Sequence, residues 1–367
     1  MDEEIYVAGS SWLRLDDDSE LQLDEAVFEA SAAALRDAGI RRHQVGLSVT
    51  SSLDLYDARS ISNALTAPAA AGYLNDELRV EGDASAAFLV AAAALASSQT
   101  DVAIVVAINA PEAGSTREQA VRDLREHVSS YTFDSHIDRP VGLSANAVLG
   151  LHAAYALGEG LVDWDDLVRQ TADEITRGAG SGRAQRAAAT ADDVASAPVA
   201  MAPLTDLMLP AASAGVGAVV IAGGVAGRRL PRLSARLRGW GSATSPSPSR
   251  QAWLLDPTRA AARAASDAYR RAAIDASEVG YLEMTDLTPS VTAQLAESLG
   301  LEAVPERNRS GGVRSSHPGI ANGLLRIIEG SEVLADAERG RLGVVHAAGD
   351  LMGLTSSTSS VLVLESV

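Results

Sequence analysis

Short apolar runs alternate with helical patterns along the first half of the chain. The runs are typical of buried strands, because each has only a few residues and polar turns at both ends. They lie at residues 5–8, 45–49, 102–106 and 218–222. A helical pattern over residues 23–38 follows the first run and stops at Gly39, a suitable residue just beyond a helix end. This order predicts an α/β fold.

The second half of the chain repeats the order of the first. Predicted strands lie at residues 233–237, 279–283, 343–346 and 361–364. Predicted helices cover residues 258–273 and a segment from just after His317 to about residue 329. A duplicated strand–helix unit implies two similar α/β halves related by a pseudo-twofold axis.

One helix in each half is apolar on nearly every face. Residues 84–97 read ASAAFLVAAAALAS, and residues 319–328 read GIANGLLRII. A helix without a polar face is buried, so we expect both helices between two sheets in a five-layer α-β-α-β-α sandwich. The predicted first half comprises residues 1–110 and 204–225, and the second comprises residues 226–367. Residues 111–203 form an insertion, interpreted as a cap domain over a site.

Composition excludes several kinds of chemistry. The chain has no cysteine, which rules out disulfides, zinc–thiolate sites and thiol nucleophiles. Its six histidines lack metal-ligand spacing, so no metal is predicted. The formal charge of −18 argues against binding nucleic acid. An acidic N-terminus and no apolar run of about 20 residues predict a cytoplasmic protein without a membrane span.

Three segments, in this order and spacing, resemble the thiolase superfamily, especially its sterol-carrier-protein branch. They are residues 191–223, residues 280–301 (GYLEMTDLTPSVTAQLAESLGL) and residues 308–323 (NRSGGVRSSHPGIANG). The resemblance covers nearly the whole chain. It implies the thiolase fold, in agreement with the predicted duplicated sandwich.

The family's nucleophilic cysteine opens a Cys-Ala-Ser-Gly string, and the matching residues here are Asp83, Ala84, Ser85 and Ala86. The resemblance implies that Ser85 lies in the substrate pocket. Aspartate is a poor acyl acceptor, but it is among the best helix N-cap residues. Asp83 is therefore expected to cap the buried helix, and a role as general base is the alternative.

The other catalytic loops are only partly kept. Thr285 stands at the histidine of the family's His-Asp-x-Phe string, whereas Asp286 keeps the aspartate. His317 matches the Gly-His-Pro histidine, which polarises a thioester carbonyl in the family, although Ser316 replaces the glycine before it.

Residues of two further loops complete the candidate site. His346 opens the loop that carries the family's acid/base cysteine, and the backbone N–H groups near Gly349 are candidates for an oxyanion pocket. The resemblance also assigns Gly312 to substrate binding. The candidate catalytic residues are thus Asp83, Thr285, Asp286, His317 and His346, with Ser85, Gly312, Ser316 and Gly349 around the substrate.

Without cysteine, thiolysis and condensation through an acyl-cysteine are excluded. The first hypothesis is a degenerate thiolase-like protein of lipid or acyl-CoA metabolism. It would bind an acyl-CoA-type ligand, or serve as partner subunit of an active enzyme, and needs no cofactor other than a coenzyme A thioester. The resemblance implies a homodimer or a heterodimer with a thiolase-like paralogue, and an OB-fold/zinc-ribbon accessory protein.

Two alternatives stay open. A retro-aldolase acting on a β-hydroxyacyl-CoA, such as a steroid side-chain intermediate, needs no acyl-enzyme, and Asp83 and His317 would serve it. However, no tyrosine follows Tyr281 that could act as a C-terminal acid or base. The remaining alternative is a structural assembly subunit with a filled pocket.

Overall fold

The computed structural model describes residues 4–53, 55–56, 59–60, 63–111, 115–245, 255–349 and 358–367. Nine strands form the main sheet. They are β1 (Ile5–Leu15), β2 (Leu47–Ser51), β3 (Asp76–Val80), β4 (Val102–Asn109), β5 (Ala214–Gly223), β6 (Ala235–Thr244), β7 (Val279–Met284), β8 (Leu342–Ala348) and β9 (Thr358–Glu365). The longer helices are α1 (Leu23–Asp37), α2 (Ala84–Ala96), α3 (Arg117–Ser130), α4 (Ala145–Gly158), α5 (Trp164–Gly178), α6 (Arg259–Ala272), α7 (Pro289–Ser298) and α8 (Asn322–Ala335).

Shorter elements connect these helices and strands. The short helices are Asn63–Thr66, Pro68–Gly72, Ala191–Ser196, Gly224–Arg228 and Gly312–Ser315, with single turns at Arg42–Gln44, Arg139–Val141, Asp206–Met208, Ala276–Glu278 and Gly319–Ala321. Two small hairpins pair Leu55–Tyr56 with Arg59–Ser60, and Val199–Met201 with Leu204–Thr205.

The order of the strands confirms the internal duplication. The sheet runs β7-β8-β9-β6-β1-β5-β4-β2-β3. Read outward from the centre, β1-β5-β4-β2 in the first half matches β6-β9-β8-β7 in the second. The pairings also match, since β4 is parallel to β2 and antiparallel to β5, just as β8 is parallel to β7 and antiparallel to β9. The α/β class and the two similar halves are therefore confirmed.

One detail differs from the expected pair of separate sheets. The halves join where β1 and β6 run antiparallel, with Ile5 opposite Leu237 and Val7 opposite Ala235. Only three residue pairs form this junction, whereas ten join β1 to β5. The sequence does not reveal the junction, because an apolar strand looks the same whichever neighbour it pairs with. Strand β3 was not predicted either, because its residues are mostly exposed and do not form an apolar run.

Three apolar clusters define the layers. The central cluster contains α2 and α8 between the inner faces of the two half-sheets, with Phe88 and Leu324 fully buried. A second cluster packs α1 on the outer face of the first half, and a third packs α6 and α7 on the outer face of the second. The five-layer arrangement follows, with α2 and α8 as its middle layer.

The insertion forms mainly helices and has an apolar cluster of its own. Phe133, Leu149 and Leu167 pack there with Leu287, which belongs to the second half. The helices α4 and α5 both contact α7, so the insertion lies against the second half. Among the described residues, no helix has the length and apolar character needed to cross a bilayer.

Candidate functional site

The N-terminal ends of the two central helices meet at Asp83. Its side chain lies only 8% exposed and accepts hydrogen bonds at both oxygens. Oδ1 accepts from the backbone N–H of Ser85 at 2.9 Å and from the Ser85 hydroxyl, and Oδ2 accepts from the backbone N–H of Gly323 at 3.1 Å. Asp83 is thus the N-cap of α2, as predicted, and also binds the first turn of α8. The general-base alternative stays untested.

Two glycines from the second half lie beside Asp83, and one of them is required for this close approach. A Cβ atom on Gly323 would lie 2.1 Å from Asp83 Oδ1, so no larger residue fits. A Cβ atom on Gly349 would lie 3.5 Å from the Cβ of Asp83, in ordinary contact. The fold therefore brings Asp83, Ser85 and Gly349 together, as expected. Sequence reasoning missed Gly323, although its place in the GIANG string was the available signal.

Thr285 and His346 lie together at the ends of β7 and β8. The backbone N–H of Thr285 donates to the carbonyl oxygen of His346 at 3.2 Å. Asn322 Nδ2 donates to Thr285 Oγ1 at 2.9 Å, and Asn322 immediately precedes Gly323. Asn322 is fully buried and thus links Thr285 and His346 to the region around Asp83. Its residue type alone does not predict this role.

The imidazole of His346 is enclosed in the second half. Its Nε2 lies 3.4 Å from Ser359 Oγ, and burial lowers its pKa to about 4. His346 is therefore neutral near pH 7. It borders a cavity of about 20 Å³ that Thr285 and Ser359 also line. A cavity of this size holds about one water molecule.

His317 is held by backbone hydrogen bonds. Its N–H donates to Ala211 O at 2.7 Å, and its side chain borders a cavity of about 60 Å³ that Arg125 and Glu126 also line. The preceding Ser316 lies with its Oγ 3.0 Å from Ser213 Oγ. The turn at Gly319–Ala321 then leads from His317 into α8.

Gly312 and Asp286 lie in a different polar group. Gly312 has a φ of +57°, and a Cβ there would lie 2.6 Å from Asn308 Nδ2. The Asp286 carboxylate accepts from Thr292 Oγ1 at 2.7 Å and lies 3.6 Å from Arg314 Nη2. The Asp286 carboxylate thus belongs to a buried ionic cluster, whereas Asp83 accepts from Ser85 and Gly323. The catalytic assignment of Asp286 stays a prediction.

This ionic cluster also includes Glu174 of the inserted helix α5. Arg314 is fully buried, and its Nε lies 3.4 Å from Glu174 Oε2. Burial, together with the nearby Asp286 carboxylate, raises the pKa of Glu174 to about 7, although Arg314 opposes the shift. The cluster joins the insertion to the second half through charges that are removed from water.

The raised pKa of Glu174 predicts a pH-dependent stability. Between about pH 4.5 and 7, folded chains keep a proton on Glu174 that unfolded chains have released. The stabilisation that this retained proton gives is complete below pH 4.5 and is lost as pH rises through 7. Over that range the free energy of unfolding falls by about 1.4 kcal/mol for each pH unit. We expect Glu174→Gln to make this slope shallower, measured by urea unfolding across that range, while Glu283, whose pKa burial also raises, keeps its own contribution. Exposed Glu159→Gln is the control, and a wild-type slope in Glu174→Gln would contradict the prediction.

Comparison with known proteins shows the fold directly. No family model and no curated protein matches the chain. Among solved structures, an SCP2-thiolase-like protein type 1 from Mycobacterium smegmatis, described as monomeric, matches with a TM-score of 0.75 and 16% identity. The match covers 99% of this chain and 77% of that one. The chain has the thiolase fold.

Two further structures of thiolase fold match over nearly their whole length. One is named "Ltp2-ChsH2(DUF35) aldolase", with a TM-score of 0.79 and 17% identity over 99% of this chain and 98% of that one. The other is an acetyl-CoA acetyltransferase from Syntrophomonas wolfei, with a TM-score of 0.75 and 13% identity over 100% and 99% of the two chains. At these identities the likeness concerns the thiolase fold, and the fold predicted from sequence is confirmed.

Proposed function

We propose that this chain is a non-thiolytic, thiolase-fold protein of acyl-CoA metabolism that acts as the partner subunit of an active thiolase-fold enzyme. One observation carries the proposal. The position that resembles the family's nucleophilic cysteine holds Asp83, and its carboxylate is bound by both central helices.

The electrostatics of the helix ends support this proposal. Free N–H groups at a helix N-terminus stabilise a bound anion or a thiolate. Here the N–H groups of Ser85 and Gly323 already donate to the Asp83 carboxylate. The donors that could stabilise negative charge on a substrate are therefore used to hold the two halves together.

The small size of the cavities beside His317 and His346 also supports the proposed subunit role. The cavities at His317 and His346 have volumes of about 60 and 20 Å³. Pockets for drug-sized ligands have volumes of roughly 300–1,000 Å³. In the described part of the chain, these two cavities accommodate water and not a thioester. This favours a subunit role over turnover at these side chains.

The proposed partner is a cysteine-containing thiolase-like paralogue, with an OB-fold/zinc-ribbon protein as a further component. Support for the second component comes from the neighbour whose name joins Ltp2 to ChsH2(DUF35). A homodimer is the alternative assembly. The name of the S. wolfei neighbour supports acyl-CoA metabolism as the setting.

The test has two parts. The purified chain, given acetyl-CoA and labelled coenzyme A, is expected to show no exchange of the acetyl group, because it has no residue to form an acyl-cysteine. Purification of the tagged chain from its native host is expected to recover a thiolase-fold protein that contains the catalytic cysteine. Acetyl exchange by the pure chain, or a homodimer recovered alone, would overturn the proposal.

A second candidate function is retro-aldol cleavage of a β-hydroxyacyl-CoA. The observation in its favour is the neighbour named an aldolase, which matches this chain over 99% of its length. In such a reaction, a base removes the hydroxyl proton, the carbon–carbon bond breaks, and the released enolate of the thioester is protonated. Turnover of a β-hydroxyacyl-CoA that disappears in His317→Ala would support this function and displace the first.

A further inference from the structure

A separate cavity lies between the insertion and the second half. Its volume is about 500 Å³, within the range of small-molecule pockets. Helix α4, the segment after it, helix α7 and the residue Glu302 form its walls. Ala293 of α7 is one of the residues that line it. The candidate site described above shares none of the lining residues.

The inner wall of the cavity carries a buried polar group. His152 is only 3% exposed, and its Nδ1 lies 3.3 Å from Ser290 Oγ. Burial lowers the pKa of His152, with an opposing hydrogen bond from Gln294. Burial thus favours the uncharged imidazole, which adds no positive charge to the cavity and is held in place by Ser290 and Gln294.

A hydrogen-bonded chain leads from this wall to the loop after β7. Ser290 Oγ lies 2.9 Å from Thr288 Oγ1, and Thr288 is fully buried three residues after Thr285. The polar atoms around His152 are therefore fixed by packing. This kind of preorganisation lowers the entropy lost on binding a ligand.

The remaining lining residues define the chemistry of the ligand. Ala156, Leu161 and Val162 provide an apolar wall, and Leu161 is 64% exposed. The exposed residues Glu297 and Glu302 carry negative charge, and no arginine lines the cavity. Within the described residues, neither carboxylate forms an ion pair. Anionic ligands such as the phosphates of coenzyme A are therefore disfavoured.

We propose that this cavity binds a small amphipathic amine, whose apolar body packs on Ala156, Leu161 and Val162 while its ammonium group pairs with Glu297 or Glu302. An ammonium beside an acidic group gains Coulomb energy, and an apolar chain gains by leaving water. The inference does not depend on the proposed subunit role. It assigns a ligand class to a part of the insertion that the catalytic resemblance does not reach.

Three probes of equal chain length test the proposal: octylamine, octanol and octanoate. Isothermal titration calorimetry of the full chain is expected to show one saturable site for octylamine. Octanoate is expected to bind at least about tenfold more weakly, because its carboxylate is repelled. Equal affinity for octanoate and octylamine, or no binding of octylamine, would overturn the proposal.

Variants locate the site. Ala293→Trp fills the cavity from an exposed position on α7 and is expected to abolish octylamine binding while circular dichroism stays unchanged. Glu297→Gln with Glu302→Gln is expected to weaken octylamine binding about five- to tenfold and to leave octanol unaffected.

The matched control is Glu20→Gln with Glu29→Gln, which changes the net charge equally at exposed positions elsewhere. It is expected to leave octylamine binding unchanged. An equal loss of affinity in this control would show that net charge, and not the cavity, attracts the amine. Octylamine binding that persists in Ala293→Trp would place the site elsewhere, so either result sinks the proposal.

Discussion

Asp83→Ala is expected to lower the free energy of unfolding by about 2 to 6 kcal/mol. Each buried donor left without an acceptor costs about 1–3 kcal/mol, and for Ser85 this cost includes the loss of the N-cap. Two backbone donors, on Ser85 and Gly323, lose their acceptor together. Urea unfolding followed by circular dichroism measures the effect.

A matched control separates ordinary capping from the link between the halves. Asp163 caps α5 at an exposed position and accepts from the N–H groups of Asp165 and Asp166. Asp163→Ala is expected to cost only about 1 kcal/mol, because water replaces the carboxylate there. Similar losses in both variants would contradict the view that Asp83 joins two buried helices.

Arg326→Met is expected to lower the free energy of unfolding by roughly 3–5 kcal/mol near pH 9, where Glu283 is ionised. Arg326 lies fully buried in α8, with its Nη1 2.8 Å from both Glu283 Oε1 and Glu329 Oε2. Removal of the guanidinium leaves the buried Glu283 carboxyl group without its counter-charge, and leaves Glu329 with only Arg183, whose Nη1 lies 3.8 Å from its Oε1. Burial already raises the pKa of Glu283 to about 8, although Arg326 opposes the shift.

The companion variant replaces the whole cluster. Tyr281 donates its hydroxyl hydrogen to Glu283, so the complete set is Arg326→Met, Glu283→Leu, Glu329→Leu and Tyr281→Phe. A well-packed apolar replacement of a buried ion pair is often neutral or stabilising by about 1–4 kcal/mol. We expect this variant to recover most of the loss. A stability as low as that of Arg326→Met alone would show that packing, and not charge, causes the effect.

Patterns of apolar residues sufficed to predict the duplicated architecture, because burial of strands and of α2 and α8 dominates those segments. The capping role of Asp83 was also predictable, since it depends on a residue type directly before a helix. Its second bond, to Gly323, was not, because it joins residues 240 positions apart. The burial of Arg326 was likewise not predictable, since arginine is normally found at the surface.

The sequence predicted which loops form the candidate site but not all of the contacts within it, for a related reason. Motif matching indicated the loops, and the structure does place Asp83 beside Gly349 and Thr285 beside His346. It could not indicate that Asp286 takes part in a buried cluster with Glu174, because the insertion that supplies Glu174 lies far away in the sequence. Long-range charge pairing leaves no periodic trace along a chain.

The joining of the two halves in one chain, at the short junction between β1 and β6, has a consequence for how the molecule folds. A chain of half this length would leave one side of its central helix uncovered, since α2 is apolar on all faces. Two separate copies would have to find each other in solution, and their folding would depend on their concentration. Tandem fusion makes that encounter intramolecular, so the joined halves fold as well in a dilute cell as in a crowded one.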